Sequence, residues 1–249
     1  MDVIYHLAAN VDNRFSWENP YLSLENNPKA TMNVALAARN FSIPKIVFSS
    51  TGTIYGDHPL QPYKENYESS NQTTLYGATK YASEGILSVF SEHYDISCEI
   101  FRFVGVLGPN SSHGHLFDFL QKLRKNPTQL DVLGNGLQRK SYIFVEDLIN
   151  AITKLNNEIK FDVTNVGRSD YSTVRDSVNW IKEELNIDFK ANYEVSDRGW
   201  VGDNPFLQLD VTKLESTGWK PKYTIEESVK KTVRWLSENE WIFDRAETH

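Results

Sequence analysis

Tyr76 and Lys80 are the two side chains whose types and spacing best suit chemistry. They stand four apart in Tyr76-Gly77-Ala78-Thr79-Lys80, at the start of a stretch that reads as a helix, and residues four apart share one helical face. A free phenol has a pKa of about 10, too high for a general base at neutral pH. A neighbouring ammonium favours the phenolate and lowers that value. The spacing therefore predicts a tyrosine able to take a proton from a substrate hydroxyl while a hydride leaves the same carbon. Taken alone, such a pair is what any amphipathic helix can carry. The upstream context adds to it. Phe48-Ser49-Ser50-Thr51-Gly52-Thr53-Ile54-Tyr55-Gly56 reads as a strand ending in hydroxyl residues. Parallel sheets place ligand sites beyond the carboxyl ends of their strands, so Thr51 stands where it can donate to a substrate oxygen. Ser and Thr also close strands through turn chemistry alone.

The elements that must position these residues alternate strand and helix. Asp2 to Ala9, Lys45 to Ser50 and Ile96 to Val104 read as buried strands of a parallel sheet. Helical segments lie around Thr31 to Phe41 and from about Leu75 to Tyr94, an alternation that predicts a doubly wound α/β sheet. Beyond the Gly108 to Gly114 loop the reading changes. A helix spans Leu116 to Arg124, a strand at Asp131 to Leu133 enters the Gly134-Asn135-Gly136 turn, a helix covers Val145 to Leu155, and a strand covers Phe161 to Val166. Thr224 with Glu227 fits a capping box ahead of a helix striped by Val229, Val233 and Leu236. Asn27-Pro28 fits an N-cap followed by proline at the first helical position, so a helix is expected to start or kink there. No glycine cluster of the G-x-G-x-x-G kind stands near the N-terminus.

The 249 residues are 40% hydrophobic and 24% charged, an ordinary composition for a folded domain or two. Cys98 is the only cysteine, which excludes an intrachain disulfide and a cysteine metal cage and points to a reducing, cytoplasmic setting. The net charge of −7 argues against a broad nucleic-acid or anionic-membrane footprint. The first ten residues lack a secretory pattern, and no apolar run reaches bilayer length. His113 and His115, two apart on a Gly-Ser loop without a supporting Cys or acidic cluster, make a poor metal site, and no metal is expected.

HLAA (6–9), SSTGTIYG (49–56), YGATK (76–80), FRFVGVLGP (101–109), GNGLQRKSYIFVEDL (134–148) and LDVTKLESTGWKPKYTIEESV (209–229) follow one another in an order that resembles the extended short-chain dehydrogenases. The likeness covers nearly the whole chain and is most similar to nucleotide-sugar epimerases of the UDP-glucose 4-epimerase type. It implies a truncated, Rossmann-like NAD-binding domain over residues 1–108 and a smaller α+β substrate-binding region over 109–249. About 141–166 would return to the Rossmann sheet. The glycine-rich strand-helix units of the family would lie outside this chain. Carried over by motif, Tyr76 is the base, Lys80 its electrostatic partner and a ligand of the nicotinamide ribose, and Thr51 the catalytic hydroxyl. Ala8, Ala9, Asn27, Ser49, Tyr76, Lys80 and Phe103 would line NAD. Thr51, Gly105, Lys140, Arg198 and Asp203 would meet a nucleotide-diphosphate sugar.

The departures from the family pattern are specific. Gly105 stands where an asparagine usually touches substrate phosphate, and Lys140 keeps the charge of a usual arginine without its fork. Arg139-Lys140 also reads as a solvated turn, and Arg198 as a surface partner of Asp197 or Asp203. The family's dehydratases follow the catalytic threonine with Asp-Glu; here Gly52 and Thr53 follow Thr51, which favours an epimerase. The resemblance then implies that Tyr76 removes the 4-hydroxyl proton as NAD takes the C4 hydride, which returns to the other face. The alternatives are another nucleotide-sugar enzyme of the family, such as a reductase or decarboxylase, and a non-catalytic fragment that lacks the pyrophosphate-binding turn. A homodimer is implied too, with the helix near Leu75 as its natural face.

Overall fold

The computed structural model describes all residues except 15, 58–60, 68–70, 156–158, 201 and 247–249. The chain divides into two units. One comprises Met1–Val104, Ala151–Val166 and Leu209–Trp219; the other comprises Gly105–Asn150, Gly167–Gln208 and Lys220–His249.

The first unit is α/β. Strand β1 (Ile4–His6) pairs with β2 (Lys45–Thr51), β2 with β3 (Ser97–Phe103), and β3 with the strand Phe161–Val166, every pair parallel. Helices α2 (Ala30–Asn40) and α3 (Leu75–His93) cover the sheet. Ala35 and Ala38 of α2, Leu87 and Phe90 of α3, and Ile46, Phe48, Cys98 and Ile100 of the strands are buried together. The side-chain alternation of a strand sends Ile46 and Phe48 into this core. The first strand is shorter than the apolar run from Asp2 to Ala9 predicts, because pairing with β2 ends at His6.

Of the Asn27-Pro28 expectation, the helix start is overturned. Helix α1 (Pro20–Leu24) has its own proline at the first turn, and the winding continues through a π turn at Glu25–Lys29 directly into α2. Asn27 is therefore no N-cap, and no helix starts there. The wider π winding holds Pro28 inside a helix, where an ordinary α turn would lose a hydrogen bond and clash.

Two glycines set how the segment leading into α3 meets the turn after β2. Gly56, at φ +63°, ends the Gly52–Tyr55 turn, and a Cβ there would lie 1.9 Å from the Asn71 carbonyl oxygen. At Gly77 a Cβ would come within 2.8 Å of the Gln72 side-chain oxygen and 3.1 Å of the Thr53 carbonyl oxygen, so glycine eases the close approach of the first turn of α3 to the turn after β2.

The second unit is α+β. Strands Gly105–Leu107 and Tyr142–Phe144 pair parallel, as do Gln129–Val132 and Lys190–Tyr193. Arg139–Lys140 lies between Phe206–Leu207 and Ser172–Thr173. Helices His115–Lys125, Val174–Leu185 and Ile225–Glu238 bury Leu120, Ile181, Val229 and Val233 in one core. The Thr224–Glu227 capping box forms as predicted, and Thr173–Asp176 makes a second one.

Candidate active site

Thr51 closes β2 and caps the turn that follows. Its hydroxyl oxygen accepts from the Thr53 amide at 3.2 Å and lies 2.8 Å from the Thr53 hydroxyl. Thr74 caps α3 by accepting from the Gly77 amide at 3.0 Å, which starts the helix at Leu75, one residue before Tyr76. Strand end and helix start thus bring the Tyr76 phenol to the Thr51 side chain. Burial pushes that phenol up to about 12, and hydrogen bonding with Thr51 pulls the other way.

Lys80, one turn further on, is 2% exposed, and its ammonium lies 4.0 Å from the centre of the Phe48 ring. Burial lowers its pKa to about 8, against the opposing charge of Glu84. One expectation fails here. Burial is the larger influence on the phenol, and Tyr76 is less acidic than a free tyrosine. The phenol is protonated at neutral pH in this arrangement.

Around this pair the strand ends supply a cradle. Ala8 is exposed and Ala9 half-buried just past β1. The Ser49 hydroxyl donates to the His6 carbonyl at 3.3 Å, and Phe103 ends β3 opposite Thr51. Asn27 is 1% exposed; its amide nitrogen donates to the Asn10 carbonyl at 3.1 Å and to the Thr79 hydroxyl at 2.8 Å, while its oxygen accepts from the Asn10 amide at 2.8 Å. Asn27 therefore ties the segment after β1 to α3. Among the described residues the Lys80 ammonium has no hydrogen-bond partner, and the residues just past β1, Ala8 and Ala9, are small. A largely buried lysine without a protein acceptor, beyond the carboxyl ends of parallel strands, fits a ligand that brings polar oxygens, as a nucleotide ribose does.

The second unit gathers the other predicted residues. Lys140 donates to Asp203 Oδ1 at 2.8 Å and to the Asn204 carbonyl. Arg198 donates to the Asp203 carbonyl at 2.6 Å, and the Gly199 amide donates to Asp203 Oδ2 at 3.0 Å. Arg139 is not a bare solvated turn; its guanidinium stacks 3.9 Å from the centre of Phe206. A Cβ on Gly105 would sit 2.7 Å from the Tyr142 ring, which explains why glycine stands there. Tyr142 stacks on His115, and burial holds that imidazole down to about 4. Both His115 nitrogens face hydroxyls, of Tyr142 at 3.3 Å and Ser177 at 3.1 Å.

Sequence reasoning missed the polar layer under Thr51. Arg102 donates to both oxygens of Glu84, at 3.2 and 2.7 Å, and to the Tyr55 hydroxyl at 2.8 Å. Tyr55 in turn donates to Asn165 at 2.8 Å. The only signal in the sequence is that Glu84 stands four beyond Lys80, on the same helical face.

A parallel sheet whose second strand ends in a threonine facing a Tyr-x-x-x-Lys helix defines the class: an extended short-chain dehydrogenase. The comparisons with known proteins agree. The profile of the NAD dependent epimerase/dehydratase family matches residues 1–167. A crystal structure of a UDP-galactose 4-epimerase is 34% identical, superposes with a TM-score of 0.87, and is aligned over 97% of this chain and 79% of its own. The UDP-glucuronate 4-epimerase of Thermodesulfobacterium geofontis is 26% identical over 96% of this chain and 73% of its own length. The dTDP-D-glucose 4,6-dehydratase of Mus musculus is 26% identical over 96% of this chain and 68% of its own. The chain belongs to the NAD-dependent epimerase/dehydratase family, whose members are enzymes that use NAD. Among the described residues no helix is long and apolar enough to cross a membrane.

Proposed function

We propose that this protein is a nucleotide-sugar 4-epimerase acting on a UDP-glucose/UDP-galactose type of pair, with Tyr76 as the proton-transfer group. The observation that carries this reading is the Tyr76 phenol facing Thr51 at the end of β2, with Lys80 on the same helical face. Thr51 orients the reacting hydroxyl and Tyr76 takes its proton and later returns it. Ala8, Ala9, Ser49, Lys80 and Phe103 hold NAD, with Asn27 ordering the segment after β1 for it; when bound, NAD supplies the two-electron acceptor for the sugar carbon. Because the phenol stands at about 12, its work as a base needs the Lys80 charge brought to bear once ligand fills the cradle. Lys80 keeps that charge below about pH 8.

In the second unit Lys140 and Arg198 meet the diphosphate, with Gly105 and Asp203 beside them. Support comes from the relatives, two of which are named as 4-epimerases of UDP-sugars. The dehydratase alternative has less support. Gly52 and Thr53, the residues after Thr51, carry no carboxylate and are committed to the 3-10 turn Gly52–Tyr55. The reading includes a homodimer, supported by exposed Tyr21, Leu22 and Leu24 on α1 and Tyr81 and Val89 on α3, and a cytoplasmic setting, supported by the single buried Cys98.

The test is proton NMR of the purified chain with NAD and UDP-glucose or UDP-galactose. Interconversion without net cofactor reduction is expected, and Tyr76→Phe abolishes it. Net oxidation, reduction or loss of carbon dioxide replaces the epimerase by another reaction of the family. UDP-sugar binding without NAD binding or turnover replaces it by a non-catalytic binder.

A further inference from the structure

Glu84 lies 4% exposed in the middle of α3, outside the catalytic set. A buried carboxylate is costly unless paired, and a buried ion pair is weak evidence for stability; its best-attested use is to fix register. The partners of Glu84 suit that use. Ser50 of β2 donates to its Oε1, and Arg102 of β3 donates to both of its oxygens. Ser50 and Arg102 are direct cross-strand neighbours in the β2–β3 ladder. One helical carboxylate is therefore clasped from two adjacent strands at one level of the sheet. Ser50 immediately precedes Thr51, and Glu84 shares α3 with Tyr76. Glu84 stands eight positions beyond Tyr76 in the helix, a rise of about 12 Å along a rigid rod. Any slide of α3 at Glu84 is carried undiminished to the phenol.

We propose that Glu84 is a positioning residue: clasped by Ser50 and Arg102, it sets the register of α3 against the end of β2 and so sets how Tyr76 meets Thr51. This rests on the assignment of Tyr76 and Thr51 to the reaction. It differs from ordinary packing in tying α3 to the strand, β2, that carries Thr51. Ser91 provides the contrast, since it bonds the far end of α3 to the Lys160 carbonyl at 2.7 Å.

The experiment compares Ser50→Ala, Glu84→Gln and Ser91→Ala in the full chain. Two readouts are used: the resonance of Tyr76 in protein labelled with carbon-13 at tyrosine Cζ, assigned through Tyr76→Phe, and kcat and KM for UDP-glucose. Ser50→Ala keeps the Glu84–Arg102 pair and so guards against simple unfolding. Ser50→Ala and Glu84→Gln are expected to move the Tyr76 resonance and lower kcat about tenfold to 100-fold, with KM within about twofold, since small misplacements of reacting groups cost this much. Ser91→Ala is expected to move neither. An unmoved Tyr76 resonance in both Ser50→Ala and Glu84→Gln, or an equal effect of Ser91→Ala, overturns the proposal. Full turnover by Tyr76→Phe overturns the assignment of the base and leaves the register result standing. In a chain without turnover the resonance alone decides.

Discussion

Lys80 in the first unit and Lys140 in the second were both singled out as ligand-binding cations, and their surroundings are opposite. Lys80 is almost fully buried, rests on the face of Phe48, and has no hydrogen-bond acceptor among the described residues. Lys140 is partly exposed and already bound to the Asp203 carboxylate and the Asn204 carbonyl. Each sits beside a histidine held neutral, His6 for Lys80 and His115 for Lys140, mainly by burial and secondarily by the lysine's charge. The difference teaches how each cation meets a ligand. Lys80 has its desolvation cost built into the fold and gains from any oxygen brought to it. Lys140 must exchange one carboxylate for another anion, so its gain on binding is smaller.

The sharpest way to break this contrast is at the phenol that Lys80 serves. Tyr76→Phe is expected to lower kcat by about 100-fold or more, the range for loss of a general acid–base group, while UDP-sugar affinity measured by calorimetry stays near wild type. An active Tyr76→Phe would leave Lys80 without a catalytic purpose.

The histidines come next. In the folded chain His6 and His115 both stand at about 4, below the 6.5 of an unfolded histidine. The unfolded chain therefore binds more protons between pH 6.5 and 4, and stability falls as pH drops through that window, by at most about 3 kcal/mol per histidine. Urea titrations of His6→Gln and His115→Gln at pH 7 and 4.5 check this. Each variant should lose part of the acid sensitivity, and an unchanged slope would remove the neutral histidine from that unit.

A smaller effect separates the lysines by stability. Lys80→Met, which removes a largely desolvated cation without a hydrogen-bond acceptor among the described residues, is expected to raise the unfolding free energy by roughly 1–3 kcal/mol while lowering turnover. Lys140→Met strands the buried Asp203 and is expected to lower it by about 1 kcal/mol. Equal changes in thermal unfolding would erase the distinction. The smallest expected effect is on pH dependence. As pH rises through about 8, Lys80 loses its proton and kcat is expected to fall several-fold, a decline that Lys140→Met leaves in place.

Much of the first unit was legible because its signals are local. A strand ending in Thr51, a helix from about Leu75 and a Tyr-x-x-x-Lys spacing all lie within short stretches, and helical periodicity alone puts Tyr76 and Lys80 on one face. The acidity of the phenol was not legible. The spacing predicts a lowered pKa, but burial, which no spacing reports, raises it. Asn27-Pro28 was misread for a related reason. Locally it satisfies the rule for a helix start, but the Asn10 backbone and Thr79, 52 residues away, hold Asn27 inside a continuous helix and leave Pro28 in a π turn. Glu84 and Arg102 were invisible because their meeting depends on which strand lies under which helix.

By itself the sequence determined the order of elements, the α/β class of the first unit and the residues able to move a proton, since backbone propensity and side-chain chemistry travel with each residue. Only the tertiary structure decided which charges are free and which are spent. Lys80 and Lys140 carry the same ammonium, but solvent exclusion and the nearest carboxylate are set by residues far away in the chain. Those two quantities dominate the free energy of any buried charge.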